Sequence, residues 1–150
     1  MLEDGVLLEG DDLHELLPHR YPFLMVDRIR VVEAGRRVVG SKRVTADEWW
    51  CDPSNPAMRA LPFSLVIEAM AQTSGALVRD VADDGGTAIG YFMGADRVRF
   101  RESAYPGDEV ILEVVLRSWR RCICRTHAVA SVEGRIVATA NLTTIVRTMK

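Results

Sequence analysis

The chain has 150 residues, 48% of them hydrophobic, and a formal net charge of −2. That is enough for one domain, spanning 1–150, with a substantial core, and the charge balance excludes a generic nucleic-acid binder. The acidic leader MLEDGVLLEGDD lacks the basic-then-apolar order of a secretory signal, and the longest apolar run falls short of the ~20 residues that cross a bilayer, so no membrane partner is expected.

Asp11 and Asp12 are placed to cap a short helix, LHELL, that Pro18 stops. FLMVDRIRVVEAG then reads as a strand ending near Gly35, and RRVVGSKRVT as the return strand of a hairpin. ADEWWCDPSNPAMRAL has two prolines and no periodicity, which predicts a loop. Pro62 suits a first helical turn, where its missing N–H costs little, and the helix is expected from about Pro62 to Val81, leaving through DDGG. It is apolar on nearly every side, which predicts burial in the core. TAIGYFMG and RVRFRES read as two strands, Tyr105-Pro106-Gly107-Asp108 as a type II turn, EVILEVVLRSW as a strand, and CICRTHAVASVEGRIVATANLTTIVRT as a hairpin centred on Glu133-Gly134. The order predicts an α+β fold: an antiparallel sheet wrapped around one long buried helix.

On that apolar helix Ser64, Glu68 and Gln72 fall four apart and form one polar stripe. A buried carboxylate is costly unless paired or neutralised. The stripe therefore reads either as a structural contact, such as an arginine pair or a subunit boundary, or as a site carboxyl. In the second case an apolar setting would raise the pKa of Glu68 and suit it to act as an acid near neutral pH. The free N–H groups around Phe63 and Ser64, at the positive end of the helix, are fit to hold a carbonyl oxygen about a turn away.

Three segments together resemble the 3-hydroxyacyl-carrier-protein dehydratases of FabZ type: LLPHRYPFLMVDRI (16–29), LPFSLVIEAMAQTSG (61–75) and YFMGADRVRFRESAYPGDEVILEVVL (91–116). The resemblance implies the hotdog fold and a dimer with its active site at the subunit interface. It also implies an apolar tunnel for an acyl chain, and a substrate held as a thioester on the phosphopantetheine arm of an acyl carrier protein. No metal or other cofactor is implied. A histidine would take the proton from C2, a glutamate on the central helix of the other subunit would protonate the leaving hydroxyl, and a helix-start glycine N–H would hold the thioester carbonyl.

Carried onto this chain, the glutamate is Glu68 and the glutamine after it is Gln72. The histidine is lost. The family reads His-Phe-Pro eight residues ahead of the proline that opens the helix, and the matching residues here are Ser54-Asn55-Pro56. Phe63 stands at the glycine position, after Pro62 and before Ser64. Of the remaining histidines, His19 is expected to order the N-terminal segment away from the chemistry, and His127 to sit on a strand surface. Neither is expected to reach Glu68. A positioned general base is typically worth ~10²–10⁴-fold in rate, and serine is too weak to replace it. Asp52, beside the inserted loop residue, is the one nearby substitute.

Three readings follow. The first is a dehydratase-like enzyme of reduced or altered activity. The second is a non-catalytic or half-catalytic subunit of a hotdog heterodimer, with Glu68 facing a partner's histidine. The third is an acyl thioesterase in which Glu68 works alone. An acidic carrier would need a basic docking face. The basic residues are 17 arginines against two lysines, and arginine is the better ligand for phosphate and carboxylate. Arg97, Arg99 and Arg101 recur at period two, and Arg117, Arg120, Arg121 and Arg125 follow. Cys122 and Cys124 read as two reduced thiols on one strand face, and three cysteines with no disulfide pattern point to the cytoplasm.

Overall fold

The computed structural model describes residues 2–81 and 87–149. In chain order the elements are β1 (Leu7–Glu9), α1 (Asp11–Leu16), β2 (Arg28–Glu33), β3 (Arg37–Arg43), a 3-10 turn (Pro56–Met58), α2 (Phe63–Val81), β4 (Thr87–Phe100), β5 (Glu109–Arg120), β6 (Ile123–Val132) and β7 (Arg135–Met149). The strands form one seven-stranded sheet in the order β1-β2-β3-β5-β6-β7-β4, antiparallel at every pairing.

The sheet curls around α2, which packs against β2 through β7. Two periodicities meet there. Leu65, Val66, Ala69, Met70, Thr73, Ala76 and Leu77 repeat at helical spacing and are buried. On the sheet, Val110, Leu112 and Val114 alternate inward from β5, and Ala128, Ala130, Ala138 and Ala140 do so from β6 and β7. The small alanines let the helix lie close. The closest approach is at Gly40 of β3, where a Cβ would stand 2.4 Å from the Thr73 hydroxyl oxygen. By length and composition Pro56–Arg79 would pass as a membrane span, contrary to the expectation from the longest apolar run. Its apolar side chains are instead taken up by the sheet.

The central helix, the hairpin at Glu133-Gly134 and the turn at Tyr105–Asp108 lie where expected. In that turn Asp108 N–H donates to Tyr105 O at 2.9 Å and Gly107 has φ 102°. The helix exit predicted at 83–86 lies outside the described residues. Four local expectations are corrected. The α1 N-cap is Gly10, with no side-chain cap; Asp11 and Asp12 fall inside the first turn. The strand expected over residues 23–35 is ordered as β2 only from Arg28, because Gln72 of α2 takes up the backbone of Phe23 and Met25. The two strands expected between Thr87 and Ser103 are one, β4, which ends at Phe100 and has bulges at Phe92/Gly94 and Asp96/Arg99. Cys122 and Cys124 do not share a strand face. Cys122 is exposed in a two-residue turn with Arg121, both at positive φ, whereas Cys124 is buried and its thiol is pushed up to about 11 by desolvation.

Candidate active site

The site is assembled where the N-terminal segment crosses α2. Leu17 lies against Gly75, where a Cβ would come within 2.7 Å of the leucine Cδ2. One helical turn earlier, buried Gln72 spends its whole amide group. Its Oε1 accepts from Met25 N–H at 2.8 Å, and its Nε2 donates to Phe23 O at 2.8 Å and to Glu68 Oε1 at 2.7 Å. Between these anchors the Arg20 guanidinium donates to the carbonyls of His14, Leu17 and His19, giving the loop internal partners.

This crossing brings His19 to Glu68. Nε2 of the imidazole stands 3.3 Å from Oε1 of the carboxylate, with side-chain exposures of 34% and 30%. The expectation that His19 could not reach Glu68 is therefore wrong. The two residues are distant in sequence, but the clamp made by Gln72 and Gly75 lays the segment over the helix face that carries Glu68. Gln72 was the available signal: a buried primary amide must find backbone or charged partners, and two of these, Phe23 and Met25, follow His19 by four and six residues.

The electrostatics also differ from expectation. The Glu68 carboxyl is held below the usual glutamate range, chiefly by the hydrogen bond from His19. Burial acts the other way, and the hydrogen bond from Gln72 adds to the lowering. The carboxyl is not raised by an apolar setting because its half-buried position is outweighed by two donors on one oxygen. Glu68, Gln72 and His19 together line a cavity of about 860 Å³, walled by Leu16, Leu17, Ala71 and Val78 among others.

The loop residues lie elsewhere in the chain. Ser54 is exposed; its N–H and hydroxyl both donate to Asp52 Oδ1, at 2.9 and 2.6 Å. These bonds, first the hydroxyl and then the amide, hold the Asp52 carboxyl low. Neither residue borders the Glu68 cavity, so Asp52 is not brought to Glu68 as a substitute base: its side chain is spent on the turn. Pro62, Phe63 and Ser64 open α2 away from the cavity. The Phe63 ring stacks on Phe100 at 4.4 Å between centroids. The N–H groups of Phe63 and Ser64 meet no acceptor among the described residues.

The arginines divide into two sets. Arg97 and Arg99 line a groove of about 520 Å³ on the outer sheet face with Arg117, Arg125 and His127. The expected period of two is broken, because Arg97 sits at a bulge with φ 49° and Arg117 at a second bulge between Leu116 and Ser118. Bulges of this kind re-aim side chains. Arg101 lies beyond the end of β4, Arg120 ends β5 and Arg121 is in the following turn, all outside that groove. His127 Nδ1–H donates to Asn141 Oδ1 at 2.9 Å, and Asn141 Nδ2 donates to Asp96 Oδ1 at 3.1 Å. Among the described residues no group of three His, Cys, Asp or Glu side chains is arranged to hold a metal ion.

A family model described as the FabA-like domain matches residues 17–141. The chain belongs to the FabA-like family. The 3-hydroxyacyl-[acyl-carrier-protein] dehydratase FabZ of Caldanaerobacter subterraneus subsp. tengcongensis is 44% identical over 138 residues, covering 90% of this chain and 95% of that protein. FabZ of Syntrophotalea carbinolica is 44% identical over 135 residues, covering 90% and 92%. Two solved structures carry the same architecture. The dehydratase heterocomplex ApeI:P from Xenorhabdus doucetiae superposes with a TM-score of 0.72 at 20% identity, covering 89% of both chains. A mutant of thioesterase PA1618 from Pseudomonas aeruginosa superposes at 0.71 and 11%, covering 93% of this chain and 94% of the other. This FabA-like chain thus has the hotdog fold: one long helix held in a curled antiparallel sheet.

Proposed function

We propose that the chain is a FabZ-type lyase that dehydrates 3-hydroxyacyl thioesters carried on the phosphopantetheine arm of an acyl carrier protein, with Glu68 as its reactive group. The observation that carries this reading is the Glu68 carboxylate, fixed on one oxygen by His19 and Gln72 at the wall of a roomy cavity of mixed polar and apolar lining. Family membership supplies the substrate class. The FabZ relatives named above act, by name, on 3-hydroxyacyl carrier-protein thioesters.

The working unit is a dimer. Among the described residues β4 is one of the two edge strands of the sheet, and Tyr91, Phe92 and Met93 on it are exposed. An edge strand with three consecutive exposed apolar side chains is a surface that asks for a partner strand. Dimerisation there would bring the 51–63 loop of a second subunit, with Ser54 and the Phe63 N–H, toward the cavity. A basic groove containing Arg97, Arg99, Arg117 and Arg125 favours docking of an acidic carrier. Free cysteines fit a cytoplasmic setting.

One observation favours a second reading. Ser54, which the spacing to Pro62 puts at the position of the loop histidine, is tied to Asp52, and the 51–63 loop carries no histidine. In a heterodimer, Glu68 would work against a histidine donated by a related subunit. Mass spectrometry of one purified 3-hydroxyacyl carrier substrate separates the readings. Loss of water with the chain alone supports the lyase. Release of a free acid supports a thioesterase. Turnover only after mixing with a histidine-bearing hotdog subunit supports the heterodimer, and binding without any turnover refutes all catalytic readings.

A further inference from the structure

We infer that His19 is the imidazole of this site, acting as a positioning residue that presents Glu68 in its ionised form, so that the one carboxyl is first the base and then the acid of the reaction. The inference deepens the lyase reading and rests on it for the identity of the substrate.

The geometry fixes the imidazole's proton. Nδ1 of His19 is buried and has no hydrogen-bond partner, while Nε2 faces Glu68 Oε1 at 3.3 Å. A proton on Nδ1 would be a buried donor with nothing to receive it, so the proton belongs on Nε2 and is donated to the carboxylate. Gln72 donates to the same Oε1 at 2.7 Å. Both donors thus fall on one oxygen. Oε2 makes no hydrogen bond to any described residue, and it is the atom left for substrate. The lowered pKa of the carboxyl agrees with this arrangement. Other titratable groups at the cavity are His14 and Glu15 from α1, Arg79 from α2 and Tyr91 from β4. None of them forms a recorded ion pair or hydrogen bond with Glu68.

One carboxyl can then serve both halves of the elimination. Oε2 takes the C2 proton, and the C2–H electron pair moves to the thioester carbonyl as an enolate. The enolate collapses, C2=C3 forms and the C3–O bond breaks. The departing hydroxide takes the same proton back from Glu68 and leaves as water. The products are an enoyl thioester and water, and Glu68 returns to its ionised state. No imidazole at position 54 is needed. A carboxylate held low is a weak base for C2 and, once protonated, a good acid for the leaving group, so the reaction is slow at its first step.

The test compares the full chain with His19→Leu, which removes the donor, and His19→Gln, which keeps an N–H in reach of Oε1. Carbon-13 NMR of the Glu68 carboxyl, assigned with Glu68→Gln, follows its titration without substrate. Circular dichroism checks folding. The expected result is an upward move of the Glu68 midpoint in His19→Leu, largely reversed in His19→Gln. The acid limb of the kcat/KM profile moves with it, and loss of the fixed direction of Oε2 outweighs the gain in basicity, so that kcat falls on the order of 10²-fold with little change in KM. An unmoved midpoint in folded His19→Leu overturns the inference. A moved midpoint with no turnover by any of the proteins upholds the His19–Glu68 coupling and overturns the lyase reading alone.

Discussion

Replacing Gln72 by leucine would release three hydrogen bonds at once while keeping a similar volume on the helix. Met25 N–H, Phe23 O and Glu68 Oε1 would each lose a partner. Met25 is only 1% exposed, so water cannot readily satisfy its freed N–H. An unsatisfied buried donor costs about 1–3 kcal/mol, and an ordinary lost bond about 1 kcal/mol. The Glu68 bond adds little, because that carboxylate is open enough to be hydrated. The sum is about 2–4 kcal/mol. With an unfolding entropy of roughly 2.1 cal/mol/K per residue, a chain of this length should melt roughly 6–13 °C lower. Thermal melts of Gln72→Leu followed by circular dichroism give the number. A fall of less than about 3 °C would mean that the segment holding His19 is not clamped through this amide.

Glu68 gives a pH prediction. Its folded pKa lies below its ordinary value, so its stabilisation is complete above about pH 4.3 and is lost as pH falls through the folded value. Glu68→Gln should therefore flatten the acid limb of a stability–pH curve and abolish turnover; equal acid sensitivity in both proteins would refute the assignment. Gly40→Ala should cost about 1–3 kcal/mol by overpacking against Thr73. Adding Thr73→Ala, which removes the two nearest atoms and leaves Cβ at 3.2 Å, should recover part of it in denaturant melts. Arg117→Glu or Arg125→Glu should weaken carrier binding and lessen its salt dependence more than Arg101→Glu does. Equal affinities by calorimetry at low salt would move docking off the groove.

The central helix was legible because one long apolar stretch opened by Pro62 has few alternatives, and the sheet because β5 to β7 alternate cleanly between turn signals. The stripe Ser64, Glu68, Gln72 pointed to the helix face that carries the site. What the pattern could not supply was the partner of Glu68. His19 lies 49 positions earlier, and its approach depends on Gly75 admitting Leu17 and on Gln72 bonding two backbone groups, neither of which has a periodic signature. The direction of the Glu68 shift followed from that omission: without the histidine, only burial was left to act on it. The β4 bulges were missed for a similar reason. Arg97 takes a left-handed backbone that its residue type does not announce, so the arginine face had a different membership from the one its spacing suggested.

The free β4 strand has a consequence for how the protein survives in a cell. It is 14 residues long and lies at the sheet border, with Tyr91, Phe92 and Met93 exposed, the last at 60%. Until that border is covered, every collision with another nascent strand is an opportunity for wrong pairing. If the proposed dimer covers that border, the abundance of intact protein should follow the supply of its mate. If the mate is another copy, yield rises with concentration. If it is a different chain, the two must be synthesised together, and a cell making this one alone would find it in inclusion bodies or degraded.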